Sequence, residues 1–216
     1  MKKILLLENK EYRQKILTID LRKCVFLRNV LGDDDCNILL DNFLNEHSTF
    51  DEYDIIIIHE SIYYDEKREK LFDTLNKYCL EKSLIKFSGN NTQFSLENEY
   101  SLQLNTTSLY ENLEIFLKTY ENCDSSILML ALGENWYLNV LLNSLEKLNT
   151  FIENNTKEKV QKSIFSSKVG LTKIKKVNPE SYSSIFCNIN SNVITTTQME
   201  EVATSLKSLI QDKVNE

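Results

Sequence analysis

The run Tyr53-Asp54-Ile55-Ile56-Ile57-Ile58-His59-Glu60-Ser61 constrains the fold of this chain more than any other segment. Four consecutive isoleucines have no period-2 alternation, so neither face of the strand they form can look at water. β-Branched side chains also favour extended backbone. A strand buried on both faces belongs inside a parallel sheet covered by helices. It stops abruptly on His59, Glu60 and Ser61. In an open α/β sheet, polar residues at such a strand end stand where ligands and chemistry collect.

The rest of the first 153 residues repeats this theme. Residues 2–7 form a first apolar strand, and 11–20 predict a short helix with Ile16 and Leu17 inward. Residues 24–30 predict a second strand. Gly32 breaks the chain, and Asp33, Asp34 and Asp35 suit the N-terminus of a helix running to about Glu46, with Ile38, Leu39 and Phe43 inward. After the third strand, residues 53–58, a helix over 65–82 carries Leu71, Phe72, Leu75, Tyr78 and Cys79 on one stripe. A fourth strand, 84–87, is closed by the turn signal Ser88-Gly89-Asn90-Asn91, and a weaker fifth covers 100–104. Ser108-Leu109-Tyr110-Glu111 reads as a capping box, opening a helix with Leu109, Leu113, Phe116 and Tyr120 aligned. Residues 126–132 predict one more strand, Gly133 a turn, and 136–153 an amphipathic helix with Tyr137, Leu141, Leu145, Leu148 and Ile152 in register. Strands alternating with helices define an α/β fold with a doubly wound, mostly parallel, flavodoxin-like sheet and one additional βα unit.

Residues 154–216 read as a separate, mostly helical C-terminal extension. Its first part, 157–176, is basic. Pro179 marks a break, residues 182–189 could add a strand, and Thr197-Gln198-Met199-Glu200 reads as a second capping box. The helix it opens has Met199, Val202, Leu206 and Leu209 inward.

Composition narrows the class. Of 216 residues 42% are hydrophobic, with 4 Gly and 1 Pro, which describes a cored globular protein rather than a disordered chain. A net charge of −7 argues against a general coat for nucleic acid. Cys24, Cys36, Cys79, Cys123 and Cys187 are odd in number and widely spaced, so they predict free thiols in a reducing compartment. The basic N-terminus is followed by an apolar run that stops at Glu8, too short for a signal peptide. No run reaches the roughly 20 apolar residues of a membrane span. The expectation is a cytoplasmic protein, and the Asn- and Lys-rich usage suggests a bacterial or phage-like source with an AT-rich genome.

Over residues 1–120 the order of elements resembles the receiver domain, the phosphorylation-controlled module of bacterial response regulators. Tyr53-Asp54 followed by four apolar residues is similar to the family's phosphoacceptor strand. Ser88 ends the fourth strand where the family has a hydroxyl residue, and Ser108-Leu109-Tyr110-Glu111-Asn112-Leu113 resembles the opening of its last helix. The chemistry departs from that pattern. Glu8-Asn9 offers one carboxylate where the family places acidic residues for Mg²⁺. His59 replaces the acceptor aspartate, and no lysine lies near Leu102–Leu104. An acyl phosphate needs a carboxylate nucleophile, a hard divalent cation and a cationic side chain. The resemblance thus implies a degenerate, pseudo-receiver module that keeps the fold and a partner surface without the aspartyl-phosphate switch.

The candidate pocket at the sheet edge comprises Glu8, Asn9, His59, Glu60, Ser61, Ser88, Gly89, Asn90 and Trp136. Either His59 acts there as a base or ligand-binding group beside a loop that offers N–H groups to an anion, or the polar groups merely satisfy one another. No residue is assigned a catalytic role. Two distant histidines make no zinc site, Ser88 lacks a Gly-x-Ser-x-Gly elbow, and no glycine-rich dinucleotide or P-loop motif exists. No cofactor and no metal are expected. Lys157, Lys159, Lys162, Lys168, Lys173, Lys175 and Lys176 form a basic stretch able to meet phosphates or an acidic partner. The favoured reading is a non-enzymatic regulatory or adaptor protein that works through protein contacts. A small-molecule or nucleotide-binding enzyme using the sheet edge is the second, and a nucleic-acid-associated protein using the basic stretch the third.

Overall fold

A computed structural model describes residues 3–46, 50, 52–62, 67–78, 82–92, 94–98, 101–120 and 127–215. The chain forms two compact units, Met1–Glu134 and Asn135–Glu216.

The first unit is built on a six-stranded sheet. Its strands are β1 (Ile4–Glu8), β2 (Leu27–Leu31), β3 (Ile55–His59), β4 (Ser83–Ser88), β5 (Ser95–Asn98) and β6 (Ser101–Asn105), in the order β2-β1-β3-β4-β6-β5. All neighbours are parallel except β5, which pairs antiparallel with β6 at one edge. This is the expected flavodoxin- and receiver-like α/β sheet. β3 lies centrally, and all five of its residues are buried. Leu5, Leu7, Ile56, Ile58 and Leu84 pack under helices α1 (Asp33–Glu46) and α2 (Lys67–Tyr78). The alternate residues, Ile4, Leu6, Ile57, Ile85 and Phe87, lie on the opposite face, on the side of α3 (Thr106–Tyr120).

Several elements differ from the sequence expectation. The segment after β1 is two 3₁₀ turns, Glu11–Ile16 and Leu21–Lys23, rather than an α-helix, and Ile16 is 58% exposed instead of inward. Side chains compete there for the backbone: the Glu114 carboxylate accepts from the N–H groups of Thr18 and Ile19, and Asp20 caps the second turn. β2 starts at Leu27 because Cys24 still closes that turn onto Leu21. In α1 the buried stripe is Cys36, Leu39, Leu40, Phe43 and Leu44; Leu39 and Phe43 point inward as expected, while Ile38 is exposed. Leu71 and Leu75 of α2 are buried as expected; Cys79 and the Tyr78 side chain lie outside the described residues. β5 was not anticipated. Neither was the start of α3 at Thr106: Asn105, not Ser108, supplies the cap, its Oδ1 accepting from Thr107 N–H at 2.7 Å.

The expected strand over 126–132 is instead a single helical turn, α4 (Met129–Leu132). Leu132 and Gly133 N–H groups bond back to Leu128 and Met129, and the Asn112 amide of α3 donates to Leu130 O. A short apolar run buried all round fits either conformation by periodicity alone. The additional βα unit therefore does not form.

The second unit begins at Asn135 and so includes the helix α5 (Trp136–Asn154) that the sequence pattern had grouped with the sheet. α5 packs along α9 (Thr196–Asn215). Between them run β7 (Lys159–Gln161), the short helices α6 (Lys162–Lys168), α7 (Leu171–Val177) and α8 (Pro179–Ile185), and β8 (Val193–Thr195), which pairs antiparallel with β7. Gly170 joins α6 to α7 at φ 78°, a left-handed conformation that suits glycine. The expected strand over 182–189 is contradicted by α8, which has Asn178 as its cap and Pro179 in its first turn. The second capping box lies two residues earlier than expected. Gln198 N–H donates to Thr195 Oγ1, and Thr195 N–H donates to Gln198 Oε1. Leu141, Leu148, Phe165, Ile174, Ile194, Met199 and Leu206 form its buried apolar set.

Candidate functional site

The C-terminal ends of β1 and β3 bring Glu8, Asn9, His59 and Ser61 together. In the parallel register Leu6 stands opposite Ile57 and His59 opposite Phe87, so Glu8, His59 and Phe87 all project to the α3 face. Glu8 is fully buried. Its Oε1 accepts from the Arg13 guanidinium at 2.7 Å and from Lys10 N–H at 2.9 Å, and its Oε2 accepts from the Tyr110 hydroxyl at 2.8 Å. Burial, and then the nearby Glu8 charge, raise the Tyr110 phenol well above its ordinary range. Asn9 links outward: its amide donates to Asp33, and its Oδ1 accepts from Arg13 and from Ser61 Oγ. The Asn9 bond first, and then Lys10, hold the Asp33 carboxyl below the usual range.

His59 is 3% exposed. Its Nδ1 accepts from Ser61 N–H at 3.0 Å and lies 2.6 Å from Ser61 Oγ. A neutral ring that accepts at Nδ1 carries its proton on Nε2, and Nε2 is buried with no hydrogen-bond partner among the described residues. Phe87 meets the imidazole edge-to-face at 4.9 Å, and Tyr110 meets Phe87 in the same way at 5.9 Å. Burial, and then the positive charges of Arg13 and Lys10, push His59 down to about 4, so the ring is neutral at physiological pH.

The other expected pocket residues do not converge on this cluster. Ser88 pairs with Asn105 in register and lies one residue beyond Phe87, so by strand alternation it projects to the opposite face from His59. Its hydroxyl accepts from Asn90 N–H at 3.3 Å, closing the Ser88–Asn91 turn. Gly89 and Asn90 are exposed on that turn, and Glu60 is half-buried, its N–H bonded to Phe87 O. Trp136 belongs to the second unit, where it packs on Tyr137 at 5.4 Å. Residues 102–104, where the resemblance implies a lysine, lie in β6 and hold none, and Asn105 stands across from Ser88. Sequence reasoning missed Arg13 and Tyr110, which hold Glu8. Tyr110 stood in the quoted α3 opening, but nothing in the spacing of Glu8 and Arg13 signals a buried ion pair.

The basic stretch does not form one face. Lys162 is drawn inward, donating to Ile189 O at 2.9 Å and lying 4.2 Å from the Phe186 ring centroid. Lys173 is partly buried, and burial, then Lys147, lower its ammonium group. Lys175 lies over Tyr182, and Lys176 is half-buried on α7. Lys157, Lys159 and Lys168 line a groove of their own. Among the described residues no group of three or more acidic, histidine or cysteine side chains could hold a metal ion, and no helix is long and apolar enough to cross a membrane.

The strand order β2-β1-β3-β4-β6, with polar residues at the β1 and β3 ends, defines the first unit as a doubly wound, flavodoxin-like α/β fold. No protein-family model matches the chain, and no curated protein does. Among solved structures it is similar to the RcsB response regulator of Salmonella typhimurium, described in terms of conformational dynamism for DNA interaction. The identity is 14%, the match covers 97% of this chain and 98% of that one, and the TM-score is 0.36.

Proposed function

We propose that this chain is a receiver-like regulatory or adaptor protein that works without phosphorylation, through contacts with a protein partner. The observation that carries the reading is the Glu8–Arg13 pair. Glu8 corresponds to the position from which the receiver resemblance implies a Mg²⁺ ligand, and both of its oxygens are already engaged, one by a guanidinium. A hard divalent cation needs oxygen ligands it can share with water, and a guanidinium bound to the only buried carboxylate of the cluster leaves it none. At the acceptor position stands a neutral, buried imidazole in place of a carboxylate nucleophile. Asn105, opposite Ser88, brings no cationic side chain. None of the three parts of an aspartyl-phosphate switch is thus available: the Glu8 carboxylate is held by Arg13 and Tyr110, a neutral imidazole stands at the acceptor position, and Asn105 is uncharged. A cytoplasmic setting fits the thiols of Cys36 and Cys187, which form no disulfide.

An enzyme using the sheet edge has less support, because Ser88 and His59 point to opposite faces and Glu8 has no free oxygen. Incubation with acetyl phosphate and Mg²⁺, read by intact mass, tests the proposal. Unchanged mass and no saturable Mg²⁺ binding are expected; a stable phosphoryl adduct overturns it.

A further inference from the structure

The last two turns of α5, with β7 and α6, enclose a groove of about 470 Å³ lined by Phe151, Asn154, Lys157, Lys159, Ile164 and Lys168 among others. A second hollow of about 540 Å³ shares Phe151, Asn154 and Lys168 with it and continues along α5 past Thr150 to Lys147. Four lysines thus line these two adjoining hollows. None of the four forms an ion pair among the described residues. Glu146, at the far end, is the one acid on the lining. The floor is apolar: Phe151 is half-buried and set edge-to-face on Phe165 at 5.6 Å, Lys168 Nζ lies 5.8 Å from the Phe151 centroid, and Ile164 is 46% exposed.

The charge of the chain is divided in the same sense. Residues 135–216 hold ten lysines and no arginine against eight acids, so the net negative charge resides in the first unit. Within the basic stretch Lys162 is spent on the fold, whereas Lys157, Lys159 and Lys168 are exposed residues that line the groove.

We propose that this groove binds a single strand of nucleic acid, with Lys147, Lys157, Lys159 and Lys168 along the phosphates and a base against Phe151 and Ile164. Lysines that track a backbone, interleaved with an aromatic ring that accepts any base face, are the elements of sequence-tolerant strand binding. The surface is concave, whereas a duplex is read by an element that protrudes into its grooves. A run of Asp and Glu alone would use the lysines but offers no π-face to the ring, whereas every nucleotide carries both a phosphate and a base. The inference is independent of how the first unit is regulated.

The test is fluorescence anisotropy of the full chain with labelled single-stranded RNA and DNA of about 12 nucleotides, within the range one such site covers. Saturable binding to either strand is expected. It should weaken with salt at a log–log slope of about −0.7 per neutralised phosphate, so near −3 for four contacts. Lys157→Gln with Lys159→Gln, and separately Lys168→Gln, should weaken binding several-fold and flatten the slope. Lys175→Gln, which lies outside the groove, should change neither. Phe151→Leu keeps an apolar group on Phe165 and should still lower affinity. Absence of saturable binding at low salt, indifference to the groove substitutions, or equal binding of the matched duplex or of polyglutamate would overturn the proposal.

Discussion

Arg13 Nη1 lies 2.7 Å from Oε1 of Glu8, and the Glu8 side chain has no exposure to solvent while that of Arg13 is 19% exposed. A buried ion pair costs desolvation to form, but removing one partner leaves a bare charge in the interior. Arg13→Ala and Glu8→Ala are each expected to destabilise the first unit by about 3 kcal/mol, the low end of the usual 3–5 because Arg13 reaches partial solvent. The double variant should be much less destabilised than the sum. Urea denaturation in a double-mutant cycle reads the coupling, and additive losses would show that the pair contributes nothing.

Tyr110 adds the third donor to Glu8. Tyr110→Phe keeps the ring against Phe87 and deletes only the hydroxyl, leaving Glu8 Oε2 without its 2.8 Å bond. The expected cost is about 1–3 kcal/mol, the range for a buried acceptor deprived of its partner. A change within error in chemical denaturation would mean that water replaces the hydroxyl.

His59 gives the fold a pH dependence of defined sign. Its folded value near 4 lies below the ordinary 6.5 of an unfolded histidine. Between those values the unfolded state binds the extra proton, so stability is complete above about pH 6.5 and declines as pH falls toward 4, by at most about 1.4 kcal/mol per pH unit. The ordinary carboxylates titrate below most of that window. His59→Asn should flatten the stability profile between pH 7 and pH 5, as followed by the urea midpoint; a parallel profile in the variant would remove His59 as the cause.

The start of α3 offers a discriminating pair. Asn105→Ala removes the side chain that caps Thr107 N–H and should cost about 1 kcal/mol. Ser108→Ala should cost little, because Ser108 lies inside the helix. Thermal unfolding of the two variants separates them, and a larger loss at Ser108 would contradict the observed cap.

These cases show what was legible in the chain. The Ile55–Ile58 run fixed β3 and with it the parallel sheet, because burial on both faces leaves a periodicity that no half-exposed strand shares. The helices α1, α3, α5 and α9 followed from their apolar stripes. What failed was local and competitive. Leu128–Leu132 is as apolar as a central strand but closes helical bonds, and the Glu114 carboxylate takes the Thr18 and Ile19 N–H groups that a regular helix would have used. At the site, Glu8, Asn9, His59 and Ser61 were anticipated and do meet. Ser88 was misplaced because a single residue of register decides the face of a strand. Arg13 went unseen because an ion pair formed across an irregular turn has no sequence period.

The most direct test of the account is titration of the intact protein with Mg²⁺ in the presence of acetyl phosphate, comparing the natural sequence with the Arg13→Ala, His59→Asp double variant. The natural protein is predicted to bind no Mg²⁺ saturably and to gain no phosphoryl group, whereas freeing Glu8 and placing a carboxylate at position 59 should permit cation binding. Saturable Mg²⁺ binding together with a stable phosphoryl adduct on the natural protein would contradict the claim that Glu8 and Arg13 close this site.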